Sequence, residues 1–263
     1  MRLSKNNSLI MKKTLVSVCF AMLAAGVSAQ TNLQMYYDFG EGREYITSTL
    51  EMFKSDDWGN TFFFVDYDYN FKLRDTDGSE YVAAPGNTYF EIERRLNFWS
   101  GSVLAPLSLQ VEYNGGFGSR GLLNSYPVTS AWLIGADYLF HSADYSNTLN
   151  LQVLYKKYKK DTESIPLQFT VVWGMQNLFG LKGLNFAGFA DMCGHKTTWL
   201  DEDGPKDTDW TLISEPQLWY NVGQHFGCNN LNIGGEVELG YNFSGNPESG
   251  FKCNPFFGLK WNF

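Results

Sequence analysis

The stretch LNIGGEVELGYNF, residues 231–243, decides the fold class of this chain. Its alternate residues form two faces, one of aliphatic and aromatic side chains and the other of asparagine, glycine and glutamate. A period of two residues is that of a β-strand with an apolar phase on one side and water on the other. The stretches LSLQVEYN (107–114) and TLNLQVLYKKY (148–158) repeat this pattern. Amphipathic strands are therefore predicted, although a half-buried sheet in water would give the same alternation.

Segments with this period follow one another along the chain, separated by clusters of Gly, Asn, Asp, Pro and Ser. Their lengths suit tilted strands that cross a bilayer, which need about 9–11 residues. The fold predicted for residues 30–263 is all-β, a transmembrane antiparallel up-and-down β-barrel of about twelve strands. The predicted strands are 31–39, 44–53, 60–71, 88–98, 107–114, 129–141, 148–158, 165–176, 183–193, 209–222, 231–243 and 251–263.

Two observations favour a membrane barrel over a soluble sheet. Aromatic residues make up 17% of the chain although its mean hydropathy is only −0.27, and many rings end an apolar strand face, as in interfacial girdles. The three longest predicted connections, 72–87, 115–128 and 194–208, all fall on one side of an up-and-down order. Short periplasmic turns and long external loops are typical of outer-membrane barrels.

The ends of the chain indicate export. Residues 1–29 are predicted to be a signal peptide, with Lys12 and Lys13 before an apolar stretch and the small residues 27–29 before the cleavage point. Met11 is a possible true start, and an uncleaved N-terminal anchor is the alternative. The last strand ends at Phe263, which resembles the terminal signal that barrel-assembly machinery recognises. The expected location is the bacterial outer membrane.

Charge and cysteine content exclude several classes. The signal segment holds four basic residues and no acid, so its removal would change the formal net charge from −8 to −12. An acidic chain whose only dense basic run is KKYKK (156–160) is a poor candidate for nucleic acid. Cys193, Cys228 and Cys253 have no CxxC spacing for zinc, and we interpret them as small wall residues, with one disulfide as the alternative. No motif for a cofactor is present.

Four stretches resemble the Tsx-like family of nucleoside-specific channel-forming outer-membrane porins. NTFFFVDYDYN (60–70) is similar to the family's aromatic-acidic strand, and YFEIERRLNFW (89–99) to its strand of two aromatic residues followed by E-I-E-x-R. LNFAGFADMCG (184–194) and GLKWNF (258–263) are similar to its glycine-phenylalanine strand and its aromatic end. The resemblance implies the barrel fold and a nucleoside channel, and bacterial paralogues of unknown function share the same features.

One position departs from that family. Arg94 stands where the family tends to have an uncharged residue. By alternation Arg94 shares a face with Phe90 and Ile92, which predicts an arginine on the lipid-facing wall.

Alternation also predicts which side chains face the interior. A carboxylate that faces lipid would be costly, so the acids of the strands are expected to face water or each other. Asp137, Lys156 and Phe256 fall on the inward face. The residues predicted to line a pore and contact a solute are Phe64, Asp66, Asp68, Glu91, Glu93, Arg95, Glu112, Phe189, Asp191, Glu215, Trp219, Glu236, Glu238 and Lys260.

Twelve strands leave a lumen wider than that of eight strands and narrower than that of a sixteen-stranded porin. A narrow acid-lined pore disfavours small anions and admits neutral or cationic solutes. Rings on the same face can stack on a flat base while carboxylates accept hydrogen bonds from ribose hydroxyls. Passive uptake of small solutes, nucleosides or similar molecules, is therefore the expected function. The alternative is a structural network in which the acids pair with Arg95, Lys156 and Lys260 and the rings plug the lumen.

Two other classes stay open. A phospholipase-type barrel enzyme needs a serine–histidine pair, and His141-Ser142 with Asn147 is the local candidate, although it is predicted at the periplasmic end. A non-conducting receptor or structural barrel would use the three long loops. The acidic stretch 200–209 has carboxylates for calcium but no EF-hand spacing, so a solvated loop and no metal site are expected.

Overall fold

A computed structural model of the chain describes residues 30–40, 43–69, 73–74, 80–81, 86–99, 101–119, 125–159, 161, 163–201, 203–243 and 248–263. The predicted signal peptide, residues 1–29, lies outside the described residues. Antiparallel strands make up nearly all of the described chain. The strands are β1 (Gln30–Asp38), β2 (Ile46–Asp56), β3 (Gly59–Tyr69), β4 (Leu73–Arg74), β5 (Glu80–Tyr81), β6 (Asn87–Leu96), β7 (Leu107–Ser119), β8 (Ser125–His141), β9 (Asn147–Tyr158), β10 (Leu167–Met175), β11 (Leu184–Asp201), β12 (Gly204–Ser214), β13 (Gln217–Tyr220), β14 (Leu231–Tyr241) and β15 (Phe251–Asn262).

The sheet closes on itself. Successive wall strands pair antiparallel, and β1 pairs with β15 from Asn32 opposite Asn262 to Asp38 opposite Phe256. β12 and β13 are two halves of one wall strand, because both pair with β11 and β14 on either side of Glu215-Pro216, where proline lacks a backbone N–H. The short strands β4 and β5 pair only with each other. The wall therefore has twelve strands, which confirms the predicted fold.

The alternation predicted from sequence is visible in the exposure of β1. Leu33, Met35 and Tyr37 are 37%, 42% and 41% exposed, whereas Gln34 and Tyr36 between them are 0% and 2% exposed. Apolar side chains on the outside and buried polar side chains on the inside invert the arrangement of a soluble barrel. This inversion is what a barrel in hydrocarbon requires, because its interior is the wet side.

Two of the three predicted long loops are wrong. β7 and β8 continue to pair as far as Ser119 opposite Ser125, and β11 and β12 as far as Asp201 opposite Gly204. Most of 115–128 and 194–208 is therefore hairpin that extends the wall. Once these strands pass the bilayer boundary they need no apolar face, so the period-two signal fades toward their outer ends although the pairing continues. The third predicted loop, 72–87, is described only in part and includes the β4–β5 pair.

One end of the barrel holds Gln30 and Asn262, and we call it the terminal end. All five connections at this end are short, as predicted. Arg94 lies on the outer wall near this end, where both its terminal nitrogens bond the Asp56 carboxylate at 2.7 and 2.8 Å. The predicted strand phase at Arg94 is thus correct, and ion pairing close to the edge of the wall accommodates the outward charge.

In the described part of the chain, helical structure is limited to two single turns, Leu178–Gly180 and Val222–His225, both in connections at the terminal end. Within the described ranges, no helix combines the length and the apolar character needed to cross a membrane. The backbone N–H of Phe263 donates to the carbonyl oxygen of Thr31 at 2.9 Å, so the C-terminal residue joins the seam that closes the barrel.

Candidate functional site

The interior of the barrel is the candidate site. Strand register sets the inward positions: Thr49 of β2 lies opposite Asp66 of β3, and Asp66 opposite Tyr89 of β6. All fourteen residues predicted to line a pore occupy inward positions, and their functional roles stay predictions. They are Phe64, Asp66, Asp68, Glu91, Glu93, Arg95, Glu112, Phe189, Asp191, Glu215, Trp219, Glu236, Glu238 and Lys260.

One side of the interior is packed around Arg95. Its guanidinium bonds Glu93 at 2.7 Å and the Gln110 side-chain oxygen at 3.1 Å, and its Nε lies 3.8 Å from Asp137. The Gln110 amide nitrogen donates to Glu112 at 3.1 Å and to the Gln152 side-chain oxygen at 3.2 Å. We call these residues of β6 to β9 the packed side. They match only the Arg95 part of the structural network that the sequence left as an alternative, because among the described residues no carboxylate lies within 4.0 Å of Lys156 or Lys260.

The packed side also contains apolar side chains. Leu133 and Leu154 are 1% and 0% exposed although both point inward, and they form a cluster with Ala131 against which Tyr158 packs. Gly135 makes room for them, because a Cβ there would lie 2.0 Å from the carbonyl oxygen of Val153. The barrel is therefore filled along this wall, which narrows any path through it.

A second group of paired charges lies on the inner wall, at the end of the barrel opposite the terminal end. Arg43, in the connection between β1 and β2, bonds Glu238 at 2.7 Å and Asp38 at 3.3 Å. Asn254 donates to the same Glu238 carboxylate at 2.9 Å. Sequence reasoning missed Arg43 because a short turn between strands is not part of either face. The sequence signal that could have identified Arg43 was the inward-facing carboxylate of Asp38 shortly before it.

The aromatic residues of the lumen are arranged in two groups. Trp219 packs against Tyr36 at 5.6 Å between ring centroids, and the Lys260 ammonium lies 4.6 Å from the Trp219 ring centroid. Trp219 is only 2% exposed, so its faces are covered. Phe64 lies on the other side of the lumen, 6.0 Å from Tyr89, and it is half-buried, as is Phe189 of β11. Phe64 and Phe189 are therefore the predicted rings that retain access to the lumen.

Five half-buried acids form the least paired region, which we call the carboxylate belt. Thr49 donates to Asp66, Thr170 to Asp191, and the Gln217 amide to Glu236. Within the described part of the chain, no lysine or arginine nitrogen lies within 4.0 Å of any belt carboxylate. The belt consists of Asp66, Glu91, Asp191, Glu215 and Glu236.

The belt acids point into the same lumen. Glu215 and Glu236 lie on neighbouring wall strands, Asp66 and Glu91 on β3 and β6, and Asp191 on β11, so their like charges repel one another. Of the interior bases, Lys156 bonds the Gln168 side-chain oxygen at 2.7 Å and the Lys260 ammonium lies over the Trp219 ring, so neither contacts a belt carboxylate. Chemically the belt can attract cations and accept hydrogen bonds, and it repels anions.

The candidate serine–histidine pair is not formed. The Ser142 hydroxyl donates to Asp144 at 2.6 Å, and His141 Nδ1 lies 2.8 Å from the Ser142 carbonyl oxygen, so no serine–histidine side-chain pair exists there. These contacts stabilise the β8–β9 turn. Among the described residues, no group of three or more His, Cys, Asp or Glu side chains is placed to hold a metal ion.

The geometry defines the class of protein. A closed barrel of twelve antiparallel strands with an apolar, aromatic-rich outside and a polar inside is a transmembrane barrel of the outer-membrane type. The model of the family described as Domain of unknown function (DUF5020) matches residues 29–263, and the chain belongs to that family. None of the curated proteins matches the sequence.

Several solved structures are similar to this chain at low identity and low TM-score. A chain from work on the in-meso crystallization of membrane proteins is 9% identical with a TM-score of 0.44, over 89% of this chain and 83% of that one. OprB of Pseudomonas putida at high pH is 11% identical with a TM-score of 0.41, over 84% of this chain and 60% of OprB. OpdK of Pseudomonas aeruginosa, crystallised with vanillate, is 10% identical with a TM-score of 0.37, over 90% and 98%.

Proposed function

We propose that this protein is an outer-membrane channel for the passive uptake of small neutral and cationic solutes. The observation that supports this most directly is the carboxylate belt, with five half-buried acids near one another and no base in contact. Like charges this close in a dry interior would repel strongly, because the Coulomb energy grows as the dielectric constant falls. Water and mobile cations in the lumen reduce that repulsion. A water-filled, acid-lined path of this kind would conduct neutral and cationic solutes.

Single-channel recording in planar bilayers tests the channel. We expect unitary currents from the purified protein and, under a KCl gradient, a reversal potential that indicates cation preference. The double variant Asp191→Asn/Glu215→Gln should lower that preference several-fold, because it removes two of the five belt charges. Glu163→Gln is the matched control, since Glu163 is exposed and pairs with Lys196 outside the lumen. Absence of current, or anion preference in the wild type, would contradict the proposal.

Nucleosides are the solute class that we propose within this function. Phe64 lies two residues from Asp66 and Phe189 two residues from Asp191, so each accessible ring has a belt carboxylate on the same strand face. A base could stack on the ring while its ribose hydroxyls donate to the acid. Trp219 cannot stack on a base in this way, because Tyr36 and Lys260 cover its ring.

Liposome swelling distinguishes nucleosides from other solutes. Vesicles that contain the protein should take up uridine faster than protein-free vesicles, and uridine monophosphate should enter more slowly because the belt repels its phosphate. Phe64→Leu and Phe189→Leu should slow uridine more than a neutral sugar of similar size. Equal slowing of both solutes would leave a general channel without nucleoside preference.

Assembly is the second part of the proposal. With its short terminal-end turns in the periplasm, the barrel would present Phe263 to the barrel-assembly machinery of the outer membrane. The Phe263 ring is 59% exposed although its backbone is bonded into the seam. Deletion of Phe263 should lower the amount of folded protein in outer-membrane fractions, while Phe263→Tyr should not.

A non-conducting barrel is the competing function, and the packed side is the observation that favours it. If side chains fill the whole cross-section, the protein would act through its outer hairpins, such as the one whose exposed Leu200 precedes the β11–β12 turn. Folded protein that binds solutes or partners without any current or swelling would support this alternative.

A further inference from the structure

The outer wall has a groove of about 300 Å³ where β6, β7 and β8 run side by side. It is separate from the lumen, because Thr88 and Phe90 of β6 and Tyr113 and Phe117 of β7 occupy outward positions. Its lining includes Thr88, Phe90, Tyr113, Phe117, Pro127 and Val128.

A bulge in β8 shapes this groove. The pairing of β7 with β8 changes register between Asn114 and Gly116, where β8 supplies two residues opposite one, and such a bulge bends the strand that carries it. Gly115 holds the outward position opposite Phe90 of β6, and a Cβ there would lie 3.1 Å from the Ser130 Cβ. Because this outward position has no side chain, the floor of the groove is backbone and its walls are the flanking side chains.

The walls of the groove are aromatic. The Tyr113 ring lies 5.7 Å from Phe90 and 4.8 Å from Trp132, and Trp132 and Phe117 are 62% and 49% exposed on the outside. These rings continue the apolar surface that faces hydrocarbon. The groove is therefore a concave part of the lipid-facing wall.

Polar groups interrupt this apolar surface. Ser130 lines the groove, and the buried Thr88 Oγ1, also in the lining, has no hydrogen-bond partner in the described structure. A buried hydroxyl without a partner is unfavourable, and pure hydrocarbon cannot satisfy it. A lipid can, because its acyl chain begins at an ester or amide carbonyl that accepts a hydrogen bond.

The position of the groove along the barrel axis indicates which membrane leaflet it faces. Thr88 is the second residue of β6, at the end opposite the terminal end, and Phe117 lies beyond the bulge toward the same end. With the short turns in the periplasm, this is the outer-leaflet boundary, where acyl chains meet their polar linkages. We propose that the groove binds one acyl chain of an outer-leaflet lipid, with its first carbonyl near Thr88. This proposal does not depend on conduction.

Native mass spectrometry of reconstituted protein tests the groove. Wild type, Ser130→Trp and Val111→Trp would be reconstituted in phosphatidylethanolamine vesicles, extracted into detergent and scored for retained lipid. Ser130→Trp fills the groove, because Ser130 lies beside the outward position of Gly115, whereas Val111 is an outward residue of the same wall outside the groove. We expect wild type and Val111→Trp to retain one lipid that Ser130→Trp loses. Heat-modifiable mobility on gels confirms that each variant is folded.

A second variant keeps the test independent of the large tryptophan. Thr88→Val preserves shape and removes the hydroxyl, so lipid retention should fall several-fold with folding unchanged. Equal retention in all variants, or a retained mass that matches detergent instead of lipid, would overturn the proposal.

Discussion

On the packed side of the lumen, Arg95 is 8% exposed and is held by carboxylates and an amide, whereas at the carboxylate belt five half-buried acids have no basic partner within 4.0 Å. Both regions are inward faces of the same sheet and both are rich in acids. They differ in access to water. Where water is excluded, charge must be paired; where the side chains remain half exposed, solvent can take the place of a partner.

This contrast separates stability from function within one lumen. The packed side resembles the core of a soluble protein turned inward, with Leu133 and Leu154 beside hydrogen-bonded amides. The belt resembles a surface that has been enclosed. Substitutions in the two regions should therefore affect different measurements, and the following predictions are ordered by the size of their expected effect.

Loss of the Arg95 charge should have the largest effect. Arg95→Leu leaves the carboxylates of Glu93 and Asp137 buried without their base, which costs about 3–5 kcal/mol of unfolding free energy. Urea unfolding in detergent or lipid, followed by tryptophan fluorescence, measures this loss. The exposed pair partner Lys196→Leu is the control and should change stability much less, because solvent screens that ion pair. A similar small effect for Arg95→Leu would show that the packed side is hydrated.

Loss of the Arg43 charge should have an intermediate effect on the unfolding free energy. Arg43→Gln removes the partner of Glu238 and of fully buried Asp38 but leaves Asn254 bonded to Glu238, so we expect a loss of roughly 1–3 kcal/mol. Lys252→Gln, which breaks an exposed pair with Glu248, should cost less than about 0.5 kcal/mol. The same unfolding assay compares them. Equal effects would mean that the Arg43 group is as solvated as the surface pair.

Neutralising the belt should hardly change stability. Glu215→Gln removes one member of a group of like charges, so the unfolding free energy should stay within about 1 kcal/mol of wild type or rise. Cation preference in bilayer recordings should fall in the same variant. A marked loss of stability would contradict this prediction, because it would show that Glu215 has a structural partner.

The turn acid Asp144 should give the smallest effect. Hydrogen bonds from the Ser142 hydroxyl and from the Ser146 N–H and hydroxyl lower the pKa of Asp144 to about 2. Because the folded pKa lies below the unfolded value near 3.9, the stabilisation is present above that value and is lost as the pH falls toward about 2. Wild type should exceed Asp144→Ala in urea midpoint at pH ~7, and the difference should shrink near pH ~2. A pH-independent difference would indicate lost turn geometry instead of lost charge.

Much of the fold was predictable because the strand period is strict. In LNIGGEVELGYNF a shift of one residue would move every glutamate to the lipid side, so the inward assignment of Glu236 and Glu238 had a single solution. The same rule placed Arg94 outward, and its pairing with Asp56 explains how the wall tolerates it. The full length of the hairpins at 115–128 and 194–208 was not predictable in this way, because the strand ends that extend beyond the bilayer have no apolar face to mark them.

The sequence by itself determined the barrel class, about twelve strands and the face of most strand side chains, because hydrocarbon and water impose a two-residue alternation on the order of residues. Only the tertiary structure decided which charges meet. Arg43 reaches Glu238, 195 positions away, because register and closure bring β1, β14 and β15 together. The same register leaves the belt acids facing each other across the lumen, and no local pattern encodes a distance across a barrel.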